Sequence, residues 1–168
     1  MKTKTINLYT YDDLSESAKD VDLVWYSSGC LDYEWWDCVY DVAKQVGLKI
    51  TSFDLDRNRH ACGSLQKTIY QSLSAIRANH GKDCDTFKLA EEYDAKLTAL
   101  GAEPQDSEAY DTWTDAIEDL TAQFEKDLLE EYSIMLQKEY EYQTSREVLE
   151  ESIRANEYTF RENGKRED

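Results

Sequence analysis

Apolar residues recur along this chain at two periods, and the alternation between them lays out its elements. Thr5-Ile6-Asn7-Leu8-Tyr9-Thr10-Tyr11 alternates and predicts a short strand. Leu14, Ala18, Val21 and Trp25 then fall at helical spacing, with Thr10, Asp12 or Asp13 as cap and Gly29 as stop. A second helix is expected from near Asp32, burying Trp35, Val39, Val42 and Val46, widened by Trp36 and Ala43, and ending at Gly47. Residues 48–57 read as a strand whose apolar phase slips between Ile50 and Phe53, which predicts a bulge or bend there. Residues 57–63 read as a turn or a return strand.

Leu65, Ile69, Leu73 and Ile76 predict a helix ending at Gly81, and Thr86, Ala90, Tyr93, Leu97 and Leu100 another ending at Gly101. The stretch 101–105 holds the only Pro and is the one clear linker. It marks a possible subdivision, although each side alone is too small and amphipathic to stand by itself, so residues 1–168 are expected to form a single domain. From Asp106 one long helix carries the stripe Tyr110, Trp113, Ile117, Leu120, Phe124 and Leu128, continuing through Tyr132 and Met135 or Leu136 towards Tyr140. Thr144-Ser145-Arg146-Glu147 fits a capping box opening a last helix, with Val148, Leu149 and Ile153 facing inward. Tyr158-Thr159-Phe160 predicts an edge strand before Asn163-Gly164. The expected class is α+β, mostly helical, with a small antiparallel sheet and one long C-terminal acidic helix.

Charge changes this picture from a generic helical domain to a polarised one. The net charge is −17, of which residues 1–84 carry −2 and residues 85–168 carry −15. Between Glu103 and Glu131 there are 11 acids against Lys126 alone. Such a surface repels phosphate backbones and anionic membranes and attracts basic surfaces, including the nucleic-acid-binding faces of other proteins. The chain still folds: 40% of its residues are hydrophobic and 12% aromatic, a content disordered chains lack. It contains no apolar run of about 18 residues, the length a membrane helix needs. Its N-terminus lacks the apolar run of a signal peptide, so a cytoplasmic protein is expected. Cys30, Cys38, Cys62 and Cys84 are then expected as free thiols, although their even number permits two bridges.

Several residues bear chemistry. Glu108, Asp111, Asp115, Glu118 or Asp119, then Glu125 recur roughly one turn apart on the long helix, away from its apolar stripe, with successive turns about 5–6 Å apart along the axis. That spacing is comparable with phosphates along a strand, so the row can imitate a nucleic-acid backbone. An ordinary solvated face also places acids opposite an apolar stripe. Here, however, almost no cation stands at i+4 to offset them, and unpaired like charges destabilise a helix.

Asp54 and Asp56, read as strand neighbours on one face, can hold a divalent ion or share acid and base roles. Simple in-and-out alternation explains them equally well. His60, Cys62, His80 and Cys84 supply four potential zinc ligands, but their spacing matches none of the usual zinc patterns, and His80 also suits a helix C-terminus. Trp25, Trp35, Trp36 and Trp113 fit core packing, with one of Trp35 and Trp36 left over as a partner anchor. No phosphate-loop, dinucleotide, nucleophile-elbow or zinc-protease motif occurs, so the residues point to binding rather than catalysis, with no cofactor expected.

Tyr11-Asp12-Asp13-Leu14-Ser15, Glu34-Trp35-Trp36, Gly47-Leu48-Lys49-Ile50 with Phe53-Asp54-Leu55-Asp56-Arg57, Ala78-Asn79-His80-Gly81, the run from Glu131 to Tyr142, and Ile153-Arg154-Ala155-Asn156-Glu157-Tyr158 together form a pattern spread over most of the chain. This pattern resembles a family of small acidic phage and prophage proteins, some labelled antitoxins of toxin–antitoxin systems. The resemblance carries no catalytic motif. It implies an accessory phage gene, where counter-defence and toxin neutralisation are frequent roles. The expected function is therefore inhibition of a host protein through its basic, nucleic-acid-binding surface, in the manner of an anti-CRISPR or anti-restriction protein. Alternatives are an antitoxin acting through an apolar and aromatic interface, and a small metal-dependent enzyme.

Overall fold

A computed structural model describes residues 6–167. The chain is α+β and mostly helical, with six α-helices and two short antiparallel strand pairs among the described residues. It divides into two compact units, one from residues 1–35 and 139–168, the other from residues 36–138. The Pro-containing linker at 101–105 lies inside the second unit. No helix among the described residues is long and apolar enough to cross a membrane.

In the first unit the expected strand at 5–11 reduces to a single bridge. Residues 1–5 lie outside the described residues; beyond them Tyr9 and Phe160 exchange backbone hydrogen bonds of 2.8 and 2.9 Å, and Tyr11–Asp13 already turn as a 3-10 helix. Thr10 donates its backbone N–H and hydroxyl to Asp13, so these residues close that turn. Helix α1, Glu16–Ser27, has its own cap in Ser15, whose hydroxyl accepts from the Ala18 N–H. Helix α6, Arg146–Ala155, starts one residue later than its capping-box pattern suggested, with Ser145 as cap accepting from Val148. The core joins Tyr11, Leu14, Ala18 and Leu23 to Leu149, Ile153 and Phe160. Arg146 ties α1 to α6 through Glu16, Asp20 and Glu150. Strand β3, Thr159–Phe160, pairs antiparallel with β4, Arg166–Glu167.

In the second unit α2 spans Asp37–Gln45, shorter than expected, with Trp36 at its cap position. It returns through Gly47, at φ 85°, into β1, Leu48–Asp54. Strand β1 pairs antiparallel with β2, His60–Leu65, and the register shifts between Ile50 and Ser52, where the apolar phase slipped. Leu65 ends β2 instead of opening the next helix. Helix α3, Ile69–Asn79, begins at a capping box between Thr68 and Gln71 and packs on α4, Asp85–Leu100. Helix α5, Ser107–Gln143, buries Phe124, Leu128, Tyr132 and Leu136, while Trp113, Ile117 and Leu120 in its first turns are half-buried. Its last residues, from Glu139, belong to the first unit.

Candidate functional site

Helix α5 carries the acidic row because nothing interrupts it: its 37 residues contain neither Gly nor Pro. Asp106 opens the helix by accepting the Ala109 N–H at 3.0 Å. The Trp113 indole N–H lies 3.4 Å from the Gly101 carbonyl and ties the first turns to the preceding linker. At about 100° per residue, Glu108, Asp111, Asp115, Glu118 and Asp119 fall within an arc of roughly 100°. That arc lies opposite the side that buries Phe124. From Glu108 through Asp111 and Asp115 to Glu118 the steps are three or four residues, about 4.5–6 Å along the axis, and Asp119 directly follows Glu118. All five are exposed, and none has an ion pair among the described residues.

Glu125 does different work. It is half-buried, and its Oε2 accepts the Leu65 backbone N–H at 2.7 Å, closing the end of β2. Asp127 and Glu130 are likewise engaged. Asp127 accepts from the Tyr93 hydroxyl at 2.5 Å and from Gln123 at 2.7 Å, and Glu130 accepts from Arg59 at 2.6 Å. Burial and the neighbouring Asp127 carboxylate push the Tyr93 hydroxyl well above its ordinary value. The acids of α5 thus divide near residue 120: Glu108 to Asp119 face solvent with no ion pair among the described residues, whereas Glu125, Asp127 and Glu130 bind neighbouring elements.

The metal and nucleophile candidates are scattered. Asp54 ends β1, and its Oδ1 accepts the backbone N–H of Asp56 at 2.8 Å; the two acids form a turn instead of sharing a strand face. His60 and Cys62 are exposed or half-exposed on β2, with His60 Nδ1 donating to the Asn58 carbonyl at 2.7 Å. His80 and Cys84 do come together, lining a cavity of about 350 Å³ with Asp85, Thr86, Glu131 and Lys138. His80 Nδ1 lies 2.6 Å from the Thr86 hydroxyl, and Nε2 is buried without a partner in the protein. Burial pushes the His80 imidazole below its ordinary value and the Glu131 carboxyl above its own. No group of three or more His, Cys, Asp or Glu among the described residues is arranged to hold a metal ion. The four cysteines form no disulfide.

A second surface lies on α1, where Val21 and Trp25 of the expected stripe are turned outward while Leu14 and Ala18 are buried. Val21, Val24 and Trp25 are 55%, 74% and 63% exposed, whereas Asp22 is 2% exposed. An exposed apolar face combined with a buried carboxylate is the informative inversion of ordinary burial. Its cause is Arg166, whose Nε and Nη2 meet Asp22 Oδ1 and Oδ2 at 2.8 and 3.2 Å. The guanidinium carbon lies 3.8 Å from the Tyr158 ring centre, 4.6 Å from Trp25 and 4.8 Å from Tyr26. Sequence reasoning missed this cluster. The available signal was the run Val21, Leu23, Val24 and Trp25, apolar on more sides than one buried face needs, together with an arginine following Tyr158 and Phe160. Trp35, by contrast, is buried against Tyr140 at 5.6 Å, and Trp36 packs edge-on to Phe53.

Comparison of the chain with protein-family models, curated proteins and solved structures finds no match.

Proposed function

We propose that this protein acts by binding a basic surface of another protein, a nucleic-acid-binding face of a host enzyme above all, and blocking it. The observation that carries the reading is the row Glu108, Asp111, Asp115, Glu118 and Asp119, exposed on one face of a continuous helix with no cation paired to it among the described residues. A structural helix gains from i,i+4 ion pairs, and this one forgoes them where it is most exposed. The spacing along the helix imitates a phosphate backbone, and the net charge of −17 steers a cationic partner towards it. The resemblance to small acidic phage proteins supports an accessory, counter-defence setting in a bacterial cytoplasm.

The test is capture of partners from bacterial lysate, at low salt and again near 0.5 M, where screening confines charge attraction to roughly 4 Å. A nucleic-acid-binding protein held at low salt and lost at high salt is expected. Its capture should fail with Asp111→Lys, Asp115→Lys and Glu118→Lys combined, while the helical circular-dichroism signal stays unchanged. Full-strength capture by that triple variant overturns the reading.

The exposed Val21–Val24–Trp25 face favours a second mode, neutralisation of a toxin-like partner through apolar and aromatic contacts. That mode predicts a salt-resistant complex, insensitive to the charge reversals and weakened by Trp25→Ala.

A further inference from the structure

The cluster around Arg166 has the composition of a ligand site. One wall is a carboxylate, Asp22, withdrawn from water and presenting both oxygens. The other walls are the rings of Trp25, Tyr26, Tyr158 and, at 5.9 Å, Phe160. A carboxylate fork inside an aromatic enclosure selects a planar guanidinium over an ammonium, because only arginine meets both oxygens in one plane while stacking on the rings.

The group now filling the site arrives on a slender element. Strand β4 is two residues long, and it is held to β3 beside an Arg161–Glu167 ion pair and a turn at Asn163-Gly164. Two-residue strand pairs of this kind open locally at far lower free energy than the core. The enclosure is also open on one side. Trp25 is mostly exposed, and a cavity of about 420 Å³ lined by Val21, Asp22, Trp25 and residues 163–166 lies against the guanidinium. An incoming side chain thus has room beside Arg166 before that residue leaves.

We propose that the Asp22–Trp25–Tyr26–Tyr158 enclosure is an arginine-recognition site, occupied in cis by Arg166 and in trans by an arginine of a partner when β4 peels away. The exchange replaces one bidentate guanidinium–carboxylate pair by an identical one, so no charge is left buried alone at its end. Tethering gives Arg166 the advantage of a high effective concentration. The long-range attraction of a −17 chain for arginine-rich segments opposes that advantage. The inference does not rest on the acidic row of α5, whose residues belong to the other unit.

The experiment uses the full chain, isotope-labelled for NMR, titrated with hexa-arginine and separately with hexa-lysine. Both peptides bind an acidic protein somewhere, so the readout is local: the Arg166 Nε–H resonance and the Trp25 indole N–H. The expected result is loss of the Arg166 resonance from its locked position, with a concurrent Trp25 shift, under hexa-arginine and not under equal hexa-lysine. An Arg166 resonance that stays put while hexa-arginine saturates other sites overturns the proposal, as does an equal response to both peptides. A second measurement vacates the site. Arg166→Ala should gain thermal stability from ethylguanidinium in a saturable way that the unaltered protein does not show, and an equal response of the two refutes a guanidinium site. If Arg166→Ala does not fold, the titration of the unaltered chain decides alone. Neither readout depends on the α5 charge reversals, so failure here and failure of the acidic-row reading are separately visible.

Discussion

Arg166 reaches across 144 residues of sequence to hold Asp22 with two hydrogen bonds, and in doing so it decides which side of α1 faces inward. The pair is buried, and removing one partner of a buried ion pair leaves the other charge uncompensated. Asp22→Ala is therefore expected to destabilise the protein by about 3–5 kcal/mol, read from urea unfolding. Asp22→Leu combined with Arg166→Met should recover much of that loss, because apolar replacement of a whole buried pair is often neutral. A double variant as unstable as Asp22→Ala would show that the rings around Arg166, not its partner charge, hold the segment.

Gly164 makes the same closure from the turn side. Its φ is 81°, and a Cβ there would stand 2.1 Å from the Ala18 carbonyl oxygen, an atom of α1 backbone that cannot move aside cheaply. Gly101 also has positive φ, 76°, but a Cβ there meets nothing within 4 Å. Gly101→Ala should thus lose only the backbone penalty of its positive-φ extended conformation, about 1–3 kcal/mol. Gly164→Ala should lose clearly more, with the Trp25 fluorescence perturbed as well. Equal losses in thermal unfolding would mean that the turn is free to back away from α1.

How far the chain could be read without its structure follows from where each burial decision is made. Helix α4 was legible because Thr86, Ala90, Tyr93 and Leu97 supply one unambiguous buried face, and all four are buried. The bulge at Ile50–Ser52 was legible because an apolar phase slip within a strand has few other meanings. Helix α1 was not, since Val21, Leu23, Val24 and Trp25 suit more than one rotation, and the choice among them is made by Arg166 at the far end of the chain. Strand β2 outran its predicted end at residue 63 because Ser64 and Leu65 still pair with Lys49 and Leu48, and Glu125, 60 residues on, accepts the Leu65 N–H. Five of the six acids proposed for the row do stand exposed together, but nothing local in the sequence distinguishes Glu125 from them.

That distinction is measurable. Glu125→Ala removes the acceptor of a part-buried backbone N–H and is expected to destabilise the protein by about 1–3 kcal/mol. Asp115→Ala removes an exposed carboxylate flanked by Asp111 and Asp119 at helical spacing, so it should change stability by less than about 0.5 kcal/mol or raise it slightly. The two variants should behave in the opposite order in partner capture, where Asp115 matters and Glu125 does not. A large stability loss at Asp115 would assign the row to the fold.

His80 gives the stability a defined pH response. Burial favours its neutral form, so its folded value lies below the ordinary histidine value of about 6.5. In the window between the two values the unfolded chain binds the proton and the folded one does not, so stability rises with pH there. The contribution is complete above about 6.5 and disappears as pH falls through the folded value. Glu131, across the same cavity, has its value raised by burial and by Asp85, and acts in the opposite sense above the ordinary carboxylate value, where the folded state holds the proton that the unfolded chain has released. The remaining ionisable groups lining the cavity are Cys84 and Lys138, and Asp85 itself is held low by its hydrogen bond to Lys88. Unfolding midpoints followed from about pH 7 down to about 5.5 should therefore fall, since this range brackets the onset of imidazole protonation. His80→Asn should flatten the slope across it. A slope that persists undiminished in His80→Asn would remove His80 from the argument.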